Sequence, residues 1–374
     1  MRQAFSEVDR LCREAVADGT TPSAVIVAVD EGTVRGRDAW GWAQRQPDTQ
    51  MATVESIYDL ASVTKAIVTS VLAMQAIGRG DLRLDNPVAS YLARFAGPGR
   101  ERITIRHLLS HSGGLPAHRP YFQVAVTSGE VSCDVRDTII DAAAREPLVY
   151  APGTQSLYTD VGFILLGAVL ESLSGERLDV LFERDVARPL SLATTGFVDV
   201  TDGGNARARL LAMGTVAATE SCLARGRVIV GEVHDLNAFA MGGVAGHAGL
   251  FGTAGDVSRI AEALVRAWQG GPAPSLVERD VIRELWKPAG IPNSTWRLGW
   301  DGPAPHGSQA GEKLSRAAVG HLGFTGCSLW IDPLRARWIV LLANRIHPHV
   351  PQDQRFRAFR AAIHDSIVES FVSR

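Results

Sequence analysis

Ser62 and Lys65 stand three residues apart in Leu60-Ala61-Ser62-Val63-Thr64-Lys65, and the run that follows, Ala66 to Ile77, is apolar almost all round. Such a run reads as a helix buried in a core. Positions i, i+3 and i+7 share a helix face, so Ser62, Lys65 and Thr69 point the same way. A serine hydroxyl is a weak nucleophile until a neighbouring base takes its proton, and a desolvated lysine can be that base. The chain places lysine only at Lys65, Lys287 and Lys313 and uses arginine everywhere else. Arginine keeps its proton in proteins, whereas a buried lysine can lose it. S-x-x-K is also short enough to arise by chance, so its partners must decide.

Two clusters have the right chemistry. In Pro152-Gly153-Thr154-Gln155-Ser156-Leu157-Tyr158-Thr159-Asp160, a phenol and a carboxylate sit two residues apart on a turn before a helix. An extended turn aims both at one cavity. An ammonium beside Tyr158 would lower the pKa of its phenol and let it exchange protons with Ser62 and a leaving group. Asp160 can equally serve as an N-cap for the following helix. In Val319-Gly320-His321-Leu322-Gly323-Phe324-Thr325-Gly326, glycines surround one histidine beside a sheet strand. That is a backbone a ligand can approach, with an N–H to offer an oxyanion together with that of Ser62. The plainer alternative is a glycine-rich bulge with a surface histidine.

A third stretch, Gly231-Glu232-Val233-His234-Asp235, leads into the glycine-dense run from Gly242 to Gly249. His234 and Asp235 either shape a substrate pocket or hydrogen-bond buried backbone, and His247 favours the second role. His107 and His111, at i and i+4, have a metal-ligand spacing, with His118 close by. The glutamate of H-E-x-x-H is absent, so the expectation is no metal and no cofactor.

These residues need elements to hold them. The 374 residues, 46% hydrophobic, suffice for a full core, and a net charge of -2 gives no footprint for nucleic acid or an anionic membrane. Cys12, Cys133, Cys222 and Cys327 are scattered, as ordinary thiols are. The first residues lack an apolar signal core and no run is long enough to span a bilayer, so the chain is expected to be soluble and cytoplasmic. The pattern predicts a helix over 4–18, strands over 24–29 and 37–43, and helices over 105–110, 135–145, 161–173, 177–186, 255–268 and 277–286. Strands at 297–300, 327–332 and 337–342 and a closing helix over 356–372 follow. The simplest assembly is α/β: both ends in one antiparallel sheet flanked by terminal helices, with a helical region inserted. Residues 1–75 and 290–374 would form the sheet domain and 76–289 the helical one, with the active site at their interface.

The three clusters, in their order, resemble the motifs of the class C β-lactamase-like serine hydrolases, a family of β-lactamases, D-alanyl-D-alanine peptidases and family VIII-type esterases. Leu108-Leu109-Ser110-His111-Ser112-Gly113-Gly114-Leu115-Pro116 looks like that family's "LLSHTSGLP" segment, and Pro152-Gly153 and Gly167 also fit. The segment around His234 resembles a branch with penicillin-binding-protein-like carboxypeptidases. The resemblance spans nearly the whole chain and implies a β-lactamase/transpeptidase-like fold. It implies Ser62 as the acylated nucleophile, Lys65 as its proton partner and Tyr158 as general base and acid. The backbone N–H groups of Ser62 and Phe324 would form the oxyanion hole, with Asp160, His321, Gly323, His234 and Asp235 in support or substrate binding. His321 stands where a β-lactamase has the lysine of K-T-G, and Asp160 where it has the asparagine of Y-x-N. The first change removes a positive charge and the second adds a negative one, and both point away from β-lactam hydrolysis. The implied substrate is a small ester or a peptide or muropeptide fragment. An acyltransferase, in which an alcohol or amine resolves the acyl-enzyme, is the further alternative. A non-catalytic peptide binder would have lost Ser62, Lys65 or Tyr158, and all three are present.

Overall fold

The computed structural model describes residues 5–124, 131–271 and 275–372. Its strands are β1 (Ser23–Asp30), β2 (Thr33–Gln44), β3 (Gln50–Met51), β4 (Tyr58–Asp59), β5 (Gly196–Phe197), β6 (Ser221–Cys222), β7 (Arg227–Val228), β8 (Leu250–Gly252), β9 (Val319–Leu322), β10 (Ser328–Asp332) and β11 (Arg337–Ala343). Six of them form one antiparallel sheet in the order β3-β2-β1-β11-β10-β9. The two ends of the chain meet at its centre, where Ala24 pairs with Ala343 and Val29 with Trp338.

Every residue of β1 and β11 is buried, because both faces of the sheet are covered. Side chains alternate between the faces. Ala24, Ile26 and Ala28 join Ile339 and Leu341 in a core closed by the terminal helices Ser6–Ala17 and Arg355–Val372, through Val8, Cys12, Phe359, Ile363 and Ile367. Val25, Val27 and Val29 join Trp338, Val340 and Leu342 in the larger core on the other face, which runs into the helices between residues 65 and 285. Cys12, Cys222 and Cys327 are free thiols, and the Cys133 side chain lies outside the described ones. No helix among the described residues is long and apolar enough to cross a membrane.

Most expected elements appear within a few residues of their predicted bounds, with two differences. No strand forms over 297–300. Gly299 adopts φ +82 and donates its N–H to Leu109, while the Arg297 N–H closes a turn on Trp300. The sheet takes Val319–Leu322 as its edge instead, and there the Trp330 ring packs against Gly320, where a side chain would collide with it. The second difference lies in the helix after Ser62. Lys65–Ser70 is one wide π-turn before the α-helix Val71–Gly78. Such turns widen the ladder and often occur at functional sites. Here the Ser70 hydroxyl donates to the Lys65 carbonyl at 2.8 Å, satisfying an acceptor in the widened turn.

Candidate active site

Ser62 sits between β4 and the π-turn. Ala61, immediately before it, is held at φ +46, a left-handed conformation that costs a non-glycine residue free energy. Asp59 and Thr64 hold that strain: the Ala61 N–H donates to the Asp59 carboxylate at 2.8 Å, and the Thr64 hydroxyl donates to the Ala61 carbonyl at 2.6 Å. The hydroxyl of Ser62 thereby faces a cleft of about 520 Å³ that Tyr158, Trp296, His321, Gly323 and Phe324 also line.

Lys65 is fully buried, and its Nζ has three acceptors: Asp160 Oδ1 at 2.7 Å, the His247 carbonyl at 2.9 Å and Ser62 Oγ at 3.0 Å. Carboxylate and carbonyl only accept. Two hydrogens of Nζ are therefore committed to Asp160 and His247, and the third position points at Ser62. As an ammonium Lys65 donates there; as a free amine it would present its lone pair to the serine proton. Burial pushes the Lys65 pKa down, but the Asp160 carboxylate, helped by Tyr158, outweighs it and holds the pKa above its ordinary value. The resting form is the ammonium. Burial works on Asp160 in the opposite sense and is outweighed by Lys65, His118 and His247, which hold its carboxyl far below the usual range.

Asp160 is the first residue of the helix Asp160–Ser174, and the cap expected of it belongs to Thr159, whose hydroxyl accepts from the Gly162 N–H at 3.2 Å. With the cap supplied, the Asp160 carboxylate turns inward, and its second oxygen lies 3.4 Å from Nδ1 of the half-exposed His118. The Tyr158 phenol faces Lys65, whose Nζ lies 5.0 Å from the ring centre. Contrary to expectation its pKa is raised, because burial dominates over Lys65 and Ser62, which lower it. Tyr158 is therefore a neutral donor at rest. His111, itself at φ +54, holds this segment by accepting from the Thr159 N–H at 3.1 Å and, through its carbonyl, from the Leu157 N–H at 2.9 Å. His107 bonds instead with Thr104, so the two histidines with metal-like spacing face different partners. Among the described residues no three potential metal ligands gather.

His321, on β9, is buried; Nδ1 lies 2.9 Å from the Leu322 carbonyl, which makes Nδ1 the protonated nitrogen. Burial and the Lys65 charge lower its pKa to about 3, so it is neutral, and Nε2 is an unpaired acceptor. Gly323 packs so closely on the nucleophile turn that a Cβ there would lie 2.7 Å from the Leu60 carbonyl. The Gly323 N–H donates to Cys327 at 2.7 Å in a tight turn. Neither the Ser62 nor the Phe324 amide meets an acceptor among the described residues. His234 and Asp235 are not in the wall of the cleft. The His234 ring stacks on Phe324 at 5.6 Å, while Asp235 caps the helix Leu236–Ala240 and lies 2.9 Å from His247 Nε2. Trp296 was not singled out from sequence, and His118 and His247 were noted there for other roles; each reaches the site through tertiary contacts.

The His247 carbonyl is aimed by Gly246, which lies against the helix Asp160–Ser174 with no room to spare. A Cβ on Gly246 would lie 2.2 Å from the Phe163 carbonyl and 3.0 Å from Gly167 Cα. Backbone cannot yield as a side chain can, so Gly246→Ala is expected to cost about 1–3 kcal/mol of stability. A thermal melt checks this, and an unchanged midpoint would contradict the contact.

A serine carried on a strained turn, a buried lysine with one position aimed at it and two free backbone amides make up the site of a serine hydrolase. The profile described as Beta-lactamase matches residues 8–362. The chain belongs to the beta-lactamase family of serine hydrolases. It is 30% identical over 380 residues to a protein of Escherichia coli K12 named "Putative D-alanyl-D-alanine carboxypeptidase", covering 94% of this chain and 85% of that one. It is 29% identical over 371 residues to the N-acetylmuramyl-L-alanine amidase of Bacillus subtilis, covering 92% and 81%. Among solved structures, EstCE1, a hydrolase with promiscuous acyltransferase activity, superposes with a TM-score of 0.75 at 24% identity over 98% of this chain and 99% of that one. The penicillin-binding protein homologue of Pyrococcus abyssi gives 0.69 at 21% identity, covering 91% and 73%.

Proposed function

We propose that this hydrolase cleaves an amide or ester through an acyl-enzyme at Ser62, and that its natural substrate is a peptide fragment of the bacterial cell wall. The observation that carries the chemistry is the three-acceptor shell of Lys65, which leaves one Nζ position for the Ser62 proton. Once Lys65 has lost a proton, its lone pair takes that of Ser62 as Oγ bonds to the substrate carbonyl carbon. The oxyanion forms against the Ser62 and Phe324 N–H groups. Tyr158, neutral and half-buried, passes a proton to the leaving group and regains it from Lys65. Water, activated by the same pair, then releases the acyl group. We also propose that residues 1–75 with 290–374 and residues 76–289 act as two domains with this cleft between them.

Support for the cell-wall substrate comes from the curated relatives, one named a carboxypeptidase and one an amidase. The ester reading is supported by EstCE1, whose likeness at 24% identity is one of fold. Intact-mass measurement after exposure to a fluorophosphonate and to p-nitrophenyl esters tests the mechanism. One adduct, mapping to Ser62 and missing in Ser62→Ala, is expected; an unmodified wild-type protein would refute it. Release of D-alanine or of L-alanine-linked peptide from muropeptides, compared with ester turnover, separates the substrates. Ester turnover without any muropeptide cleavage would overturn the cell-wall assignment.

A further inference from the structure

One carboxylate joins the buried lysine to the surface. Asp160 offers Oδ1 to Lys65 Nζ at 2.7 Å and turns Oδ2 toward His118 Nδ1 at 3.4 Å. The side chain of Lys65 is fully buried, that of Asp160 is 19% exposed and that of His118 is 51% exposed, so the three groups descend from solvent to the base. The backbone around His118 is pinned although its ring is open to water. The Thr159 hydroxyl donates to the Pro116 carbonyl at 2.6 Å, the Asp160 N–H to the Ala117 carbonyl at 2.8 Å and the Asn237 side-chain amide to the Arg119 carbonyl at 2.8 Å. The imidazole is thereby kept beside the carboxylate oxygen that Lys65 does not use. The other charges nearby have partners of their own. Arg119 pairs with Glu146 at 3.2 Å, and Asp235, whose charge also reaches His118, lies 2.9 Å from Nε2 of the buried His247, which acts on Asp160 in turn. Around Lys65 stand Tyr158, His111 and His321, and burial lowers the pKa of both histidines, which are neutral near pH 7. Of all these groups only His118 combines exposure to solvent with direct contact to Asp160.

We propose that His118 is a positioning residue for the base: charged, it takes up the Asp160 carboxylate and loosens that group's hold on Lys65; neutral, it returns the hold in full. No proton passes between the two. The coupling is electrostatic and reciprocal, because two sites that share one carboxylate titrate as a pair. An imidazolium beside Oδ2 offsets the negative field at Nζ and adds like-charge repulsion, so Lys65 releases its proton more readily while His118 is charged. Asp160 raises the His118 pKa above its ordinary 6.5, so the charged state persists toward neutral pH and fades as pH climbs further. The base is helped where its free amine is scarcest. The inference rests on the acyl-enzyme reading above and adds to it the residue that sets the pH range of the base.

The rate at which a fluorophosphonate labels Ser62, followed by intact mass from acid to alkaline pH, tests the coupling. His118→Gln, at an exposed position, removes the charge at every pH. It should label about threefold or more slowly than the wild type near pH ~6, half a pKa unit being about threefold, and at the wild-type rate above pH ~9. His118→Arg keeps the charge at every pH. It should match the wild type near pH ~6 and exceed it by about the same factor above pH ~9, where the wild-type imidazole is neutral. A contact that serves only to hold the loop would give ratios that do not change with pH. A His118→Gln ratio constant across the range, or a His118→Arg variant no faster than the wild type in alkali, would overturn the coupling. Absence of Ser62 labelling in the wild type would instead refute the acyl-enzyme reading beneath it, which keeps the two failures apart.

Discussion

Exchanging Lys65 for arginine is expected to lower kcat/KM for a p-nitrophenyl ester by about 10²–10⁴-fold, the range that loss of a positioned general base produces. The substitution separates two roles. Arginine preserves the positive charge opposite Asp160, so a site needing only a cation beside Ser62 would keep most of its activity. Arginine cannot accept a proton at any pH the protein survives, so a site needing a base fails. Lys65→Met is the poorer probe, because it strands the Asp160 carboxylate in a largely buried position, and an uncompensated buried charge costs about 3–5 kcal/mol. The melting midpoint of Lys65→Arg should be followed alongside, since the larger group must fit a fully buried position. A folded variant within tenfold of the wild-type rate would remove Lys65 as the base.

Asp160→Asn should move the rising limb of the pH–rate profile toward acid by about one unit or more, the displacement expected when an opposite charge within contact distance is removed. The sign follows from the groups around Nζ. In the wild type Asp160 and Tyr158 raise the Lys65 pKa above 10.5 despite burial, so the free amine is scarce at neutral pH and the rate climbs well into the alkaline range. Asparagine still accepts a hydrogen bond from Nζ but brings no charge. Burial then prevails, the lysine pKa falls, and the base is available at lower pH. The plateau rate should drop, since a lysine of lower pKa is a weaker base. His118, whose pKa Asp160 raises through their hydrogen bond, should return toward its ordinary value in the same variant, which an NMR titration would follow. An unmoved limb would mean that the ion pair does not govern the titrating step.

These expectations show which parts of the site the sequence could carry. Ser62, Lys65, Tyr158 and His321 were legible because each lies in a short local pattern whose residue types state their chemistry. The ion pair of Asp160 with Lys65 was not. Whether the first acidic residue of a helix caps it or turns inward depends on its neighbour, and Thr159 took the cap. The direction of the Tyr158 shift was misjudged because sequence reveals a nearby charge more readily than depth of burial. The fold was clearer where apolar runs were continuous, in β1, β10 and β11, and failed at β9, where a glycine lies under an aromatic ring.

The pairing of Ala24 with Ala343 also bears on the timing of protein synthesis. A ribosome makes Ser62 and Lys65 well before the strands β9 to β11 and the Phe324 turn between them. Sheet contacts so distant in sequence form late. The nascent polypeptide therefore holds its serine without the proposed Phe324 partner until β9 to β11 dock against β1. Latency of this kind is a property of strand order.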